Sequence, residues 1–178
     1  LNMRLPRDIR VLYSEEAPED FHSRFSAKNK TYRYTVQTGL HADVFTRTTA
    51  LHVHTPLDLS RMQRAAKFAL GEHDFSAFMS AGCTLENTVR TITKSEWTQN
   101  GKYLYYEVSA NGFLYNMVRI LAGTLLEIGG GKLPEDAIKT ALASGLRADA
   151  GATAPPHALC LWRVQYEDFD TDEVLSQV

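Results

Sequence analysis

Residues 87–110 read NTVRTITKSEWTQNGKYLYYEVSA, two strand-forming runs on either side of Asn100-Gly101. Asn-Gly suits a type I′ turn, in which both central residues take positive φ, so the segment predicts a β-hairpin turning at 100–101. Working upstream, DLSRMQRAAKFAL (58–70) predicts a helix. Leu59, Met62, Ala66, Ala69 and Leu70 line one side of it, and Arg61, Arg64 and Lys67 another. Asp58 suits its N-cap and Gly71 its end. Further upstream, KTYRYTVQT (30–38) alternates as a strand should, with Tyr32, Tyr34 and Val36 on one face and Thr31, Arg33 and Thr35 on the other. A second strand is expected near 47–54, and a short one within Ile9–Tyr13.

Downstream, FLYNMVRILAGTLLEI (113–128) predicts a long helix whose Leu114, Met117, Leu121, Leu125 and Ile128 make its core face. Gly129, Gly130 and Gly131 follow a helix rather than precede one, so they stop it and do not form a phosphate loop. A shorter helix is expected over 134–144 and a closing strand over 158–166, with a frayed acidic tail after Asp168. GEHDFSAF (71–78) reads as the entry to a loop. The order is strand, strand, helix, hairpin, helix, helix, strand. Because hairpins dominate, the expected class is α+β, a mainly antiparallel sheet with helices on one face.

At 178 residues and 44% hydrophobic content, the chain can bury the core of a soluble domain. No apolar run approaches the ~20 residues that span a bilayer, and no signal peptide opens the sequence. The first residue is Leu1, which suggests a start within a longer protein. Cys83 and Cys160 form no metal-binding pair and are expected to be reduced, buried or incidental thiols, as in a cytoplasmic protein. The net charge of −2 does not announce a nucleic-acid binder. Its distribution is uneven, because residues 1–67 carry 11 Lys+Arg against 7 Asp+Glu, and the remainder 8 against 14. A basic first part can face phosphates, although scattered surface charge gives the same count.

Arg119 is the most informative position, a cation in a mostly apolar helix. Tyr115, Asn116, Ala122 and Gly123 lie about one turn away and make a second, small and polar face that lets another backbone or a ligand come close. An arginine buried there needs an anion; the competing reading is a solvent-facing arginine with a buried stem. Few carboxylates fall on facing apolar elements, so the partner is expected from a missing domain or a substrate phosphate. Tyr32 and Tyr34, rimmed by Lys28, Lys30 and Arg33, can stack bases while the cations hold phosphates. Equally, both tyrosines can be ordinary core aromatics. Arg24 in FHSRFSAKNK suits a phosphate or a loop cap. His52 and His54 alternate on a strand, yet no third ligand accompanies them, so no metal is expected. Asp74, with His73 or His54, would be the basis of an unrelated hydrolase; such an Asp more often caps a loop.

Several ordered blocks together resemble the TruA family of tRNA pseudouridine synthases across about residues 1–166. They are LNMRLPRDIRV, FHSRFSAKNKTYRY, GEHDFSAF, NTVRTI, NGFLYNMVRILAG and PPHALCLWRVQY. The resemblance implies a pseudouridine synthase half-domain over 21–168, preceded by the end of an N-terminal half or linker at 1–20 and followed by the tail at 169–178. It implies isomerisation of uridine to pseudouridine in the tRNA anticodon arm, by a homodimer, without metal or organic cofactor. The family's nucleophilic aspartate lies in a Gly-Arg-Thr-Asp motif that this sequence lacks; its Thr-Asp pair is Thr171-Asp172. By position, Tyr32 matches the tyrosine that packs on the target base and assists proton removal from C5. Arg119 matches the arginine that pairs with the aspartate. Arg24, Lys30, Arg33, Phe113 and Asn116 are the expected substrate-binding residues. Ser23 and Ala158 depart from the family's usual Ala and Gly. The alternative is a non-catalytic RNA-binding or dimerisation module.

Overall fold

The structure is a computed structural model that describes residues 1–80, 82 and 87–176; Cys83 lies outside the described residues. The 87–110 segment forms the expected hairpin, β4 (Val89–Asn100) and β5 (Tyr103–Ala110). Its turn sits one residue later than Asn-Gly alone suggests. Asn100 pairs with Tyr103, so the two-residue loop is Gly101-Lys102. Gly101 has φ +56, while neither Asn100 nor Lys102 has a positive φ. That is the requirement of a type II′ turn, which asks positive φ of its first central residue alone.

Strand β1 (Asn29–Thr38) pairs antiparallel with β5 along Lys30–Gln37. Its other edge is shared. The closing strand β6 (Leu159–Gln165) runs antiparallel along Asn29–Tyr34, and β2 (Leu51–Val53) runs parallel along Val36–Thr38. On the far side of β4 lies β3 (Gly71–Asp74), where the sequence suggested a loop. It has one partner and no fully buried residue, so nothing in its side chains alternates. The sheet is therefore mainly antiparallel, as expected for the α+β class.

Helices α1 (Leu59–Ala66), α2 (Met117–Gly129) and α3 (Ala137–Ser144) cover one face of this sheet. The alternation of β1 and β5 turns Tyr34, Val36, Leu104, Tyr106 and Val108 inward, where Trp97 stacks on Tyr106 at 5.1 Å. From α2, Met117, Ile120, Leu121, Leu125 and Ile128 are fully buried against them, each contributing roughly 1.5–3 kcal/mol. Helix α1 starts where its cap allows: Asp58 Oδ1 accepts the Arg61 N–H at 2.9 Å. Asp58→Ala is expected to cost about 1 kcal/mol, read as a lower urea midpoint with unchanged m.

Three further expectations are corrected. Residues 113–116 are not helical; Asn116 adopts φ 62, which a right-handed helix cannot continue, so α2 begins at Met117. Ile9–Tyr13 forms no strand, and Ile9, Leu12 and Tyr13 stay about half exposed. As far as residue 176, the tail is tied down rather than frayed. Asp170 is buried, pairs with Arg163 and caps the short helix α4 (Thr171–Leu175) through the Asp172 N–H.

Candidate active site

Where helix α2 fails to extend backward, residues 113–116 peel away and leave a cleft. Its volume is about 330 Å³. Strand β1 contributes Tyr32, the peeled segment Phe113 and Asn116, the first turn of α2 Arg119, and the loop before β1 Arg24. Leu159, at the start of β6, closes one side. Two of the lining residues are arginines, and none is acidic.

Arg119 is half-buried and held on two sides by uncharged oxygens. Its Nε donates to the Ala154 carbonyl at 2.7 Å and Nη1 to Asn116 Oδ1 at 2.8 Å. The backbone completes the clamp, since the Ala154 N–H donates to the Arg119 carbonyl at 3.1 Å. Among the described residues, no ion pair includes Arg119. A guanidinium carries five N–H donors. The second Nη1 hydrogen and both Nη2 hydrogens have no protein partner among the described residues. A cation removed from water and left short of an anion is costly, and a carboxylate or phosphate entering the cleft relieves that cost.

Tyr32 meets Phe113 edge-on, with centroids 5.2 Å apart and rings at 86°. Burial raises the Tyr32 phenol above its ordinary range. Behind it, the Tyr34 hydroxyl donates to the Pro155 carbonyl at 2.9 Å. Burial pushes that phenol up strongly, and the charge of Arg119 opposes it in part. Tyr32 is thus a cleft aromatic and Tyr34 a core one, although both lie on one face of β1.

Arg24 sits in a tight turn in which His22 Nδ1 accepts the Arg24 and Phe25 N–H groups. Lys30 Nζ donates to the Arg24 carbonyl at 2.9 Å. Burial, and then the charge of Arg24, lower the Lys30 pKa. Lys30 does not itself line the cleft, but it stands beside Arg24, which does, and two neighbouring cations suit an anion between them.

Arg33 does not join this group. It lies on the opposite face of the sheet, as the odd-even alternation of β1 requires. There its Nε donates to Glu107 at 2.9 Å, and the guanidinium packs 3.3 Å from the Trp162 ring centroid. His52 Nε2 lies 2.8 Å from the Gly39 carbonyl, and no metal-binding group of three occurs among the described residues. Asp74 caps the following turn through the Ser76 N–H, and His73 Nε2 lies 2.8 Å from the Leu70 carbonyl, so neither supports a hydrolase. Cys160 is exposed rather than buried.

Sequence reasoning did not single out the 150–155 loop, which gives Arg119 and Tyr34 their carbonyl partners. It carries no charge or motif beyond Pro155-Pro156; the usable signal was the small face of α2, which announced a close backbone. Nor did it find Ser80, whose Oγ accepts from Asn116 Nδ2 at 3.0 Å.

The profile of a family described as "tRNA pseudouridine synthase" matches residues 65–167. The tRNA pseudouridine synthase A of Bacillus pumilus is 50% identical over 168 residues, covering 94% of this chain and 68% of that protein. That of Halalkalibacterium halodurans is 51% identical over 159 residues, covering 89% and 60%. That of Bacillus subtilis is 46% identical over 168 residues, covering 94% and 68%. The chain thus spans 60–68% of the length of these relatives. No helix among the described residues is long and apolar enough to cross a membrane.

Proposed function

This chain belongs to the TruA family of tRNA pseudouridine synthases, and we propose that it supplies the Tyr32–Arg119 half of an active site. That site isomerises uridine to pseudouridine in the tRNA anticodon arm. The reading rests on one observation: a half-buried guanidinium, fixed by two neutral oxygens, keeps its remaining donors beside an aromatic cleft wall. The acid it meets is a nucleophilic aspartate outside these 178 residues.

Each residue has a task. Arg119 favours the ionised aspartate by lowering its pKa, as a nucleophile needs. The C1′–N1 bond of the uridine breaks, the uracil rotates, and C5 bonds to C1′. Tyr32 and Phe113 pack against the base in the cleft. The uncharged Tyr32 hydroxyl assists the C5 proton as it leaves to water, and water supplies the proton that N1 gains. Arg24 and Lys30 take phosphate oxygens at the rim. None of these steps calls for a metal or organic cofactor. The partners are tRNA and a second copy of the chain, in the cytoplasm. The sheet face opposite the helices, where Trp162 is 43% exposed and packs with Tyr105 on Arg33, supports the second.

The test uses tRNA tritiated at uridine C5. The complete enzyme carrying this segment should release tritium, and residues 1–178 alone should release none. Release by the isolated chain overturns the shared site. Parental activity of both Tyr32→Phe and Arg119→Gln in the complete enzyme would instead favour a binding or dimerisation module.

A further inference from the structure

Asn116 is the one non-glycine residue with positive φ among the described residues, and it stands at the N-cap of α2 beside Arg119. Asparagine adopts this left-handed conformation more readily than most residues, but it still needs a reason to be there. As an N-cap its side chain does none of the usual work, for it makes no bond to the helix backbone. It bridges instead. Nδ2 donates to Ser80 Oγ at 3.0 Å, and Oδ1 accepts from Arg119 Nη1 at 2.8 Å. Helical side chains lean toward the N-terminus, so a residue three positions on meets it.

We infer that Asn116 is a positioning residue rather than a base-reading one: it fixes the Arg119 guanidinium while leaving its charge uncommitted. The inference rests on the reading of Arg119 as the partner of an incoming acid. Two neutral acceptors divide the guanidinium between them. Ala154 takes Nε and Asn116 takes one Nη1 hydrogen, so a carboxylate must use the hydrogens that remain, on Nη1 and Nη2, and not Nε. An acid at position 116 would hold the same guanidinium in the same place and spend its charge locally. Only an uncharged acceptor locates the cation without quenching it.

The experiment compares Asn116→Gly and Asn116→Asp in the complete enzyme, with kcat and KM on tRNA and thermal melting measured together. Glycine keeps the left-handed turn but loses the bridge; kcat should fall about 10-fold, the scale of one hydrogen bond to a charged group. Aspartate keeps the turn and the bond from Arg119, and the Ser80 hydroxyl can turn to donate to its second oxygen, so the fold should melt no lower than with glycine. Yet its kcat should fall about 100-fold or more, because the neutralised arginine no longer favours the incoming acid. KM for tRNA should stay close to parental in both. Stability and turnover thus move in opposite directions, which a purely structural role does not produce. Turnover of Asn116→Asp equal to or above that of Asn116→Gly overturns the inference. Arg119→Gln separates the two levels: if it also turns over normally, the reading of Arg119 itself fails, whereas if it alone is dead, only the role of Asn116 does.

Discussion

Arg119→Ala in the complete enzyme is expected to lower kcat by about 10²- to 10⁴-fold, since removing one partner of a buried ion pair costs about 3–5 kcal/mol and each 1.4 kcal/mol is tenfold. The loss has two sources that a single measurement would merge. One is the incoming carboxylate, left in the cleft with no cation to favour its ionised form. The other is structural, because Ala154 O and Asn116 Oδ1 both lose their donor. Arg119→Lys separates them. Lysine keeps a charge, but as a point on a flexible stem it cannot serve the Ala154 carbonyl, Asn116 and an acid together. Its kcat should lie between those of the parent and Arg119→Ala. Melting of each variant, followed alongside turnover of tritiated tRNA, assigns the remainder to folding. Undiminished kcat in Arg119→Ala would remove the proposed ion pair.

The hairpin of 87–110 was legible because its runs are long and because Trp97 and Tyr106, facing each other across it, both point into the core. The turn was misplaced by one residue because pairing, not dipeptide preference, picks the loop: Asn100 joins the ladder opposite Tyr103. Strand β3 was illegible for a physical reason. A four-residue strand with a single partner buries too little to leave an apolar rhythm in GEHD. The start of α2 failed differently. Phe113 and Leu114 continue the helical apolar pattern, and the break lies in the φ of Asn116, a tertiary matter of Ser80 and Arg119. The resemblance pointed to Tyr32 and Arg119, and both line one cleft. Arg33 shows the limit of grouping cations by nearness in sequence. One residue from Tyr32, it faces the other way and spends its charge on Glu107. The 150–155 loop acts through carbonyl oxygens, which every residue possesses, so no side-chain pattern could announce it.

That loop carries the second large effect. Gly123→Ala is expected to destabilise the protein by about 1–3 kcal/mol, although alanine normally improves a helix interior by about 1 kcal/mol. A Cβ on Gly123 would stand 1.8 Å from the Ala152 carbonyl oxygen, 3.0 Å from its carbon and 3.2 Å from the Ala154 nitrogen. These are backbone atoms, so no rotamer change relieves the overlap; the loop itself must lift. Lifting it threatens three hydrogen bonds, from the Gly151 N–H to Thr124 Oγ1, from the Ala154 N–H to the Arg119 carbonyl, and from Arg119 Nε to Ala154 O. At roughly 0.5–1.5 kcal/mol each, they outweigh the gain in helix propensity. Gly112→Ala is the control. Its Cβ would meet only the Arg90 side chain, at 3.5 Å, and its stability should match or slightly exceed the parent's. Urea midpoints at constant m decide the comparison. The same substitution should also lower kcat in the complete enzyme, because the carbonyl that locks Arg119 moves with the loop. A Gly123→Ala protein as stable as the parent would mean that the loop does not rest on α2, and that Arg119 is held by Asn116 alone.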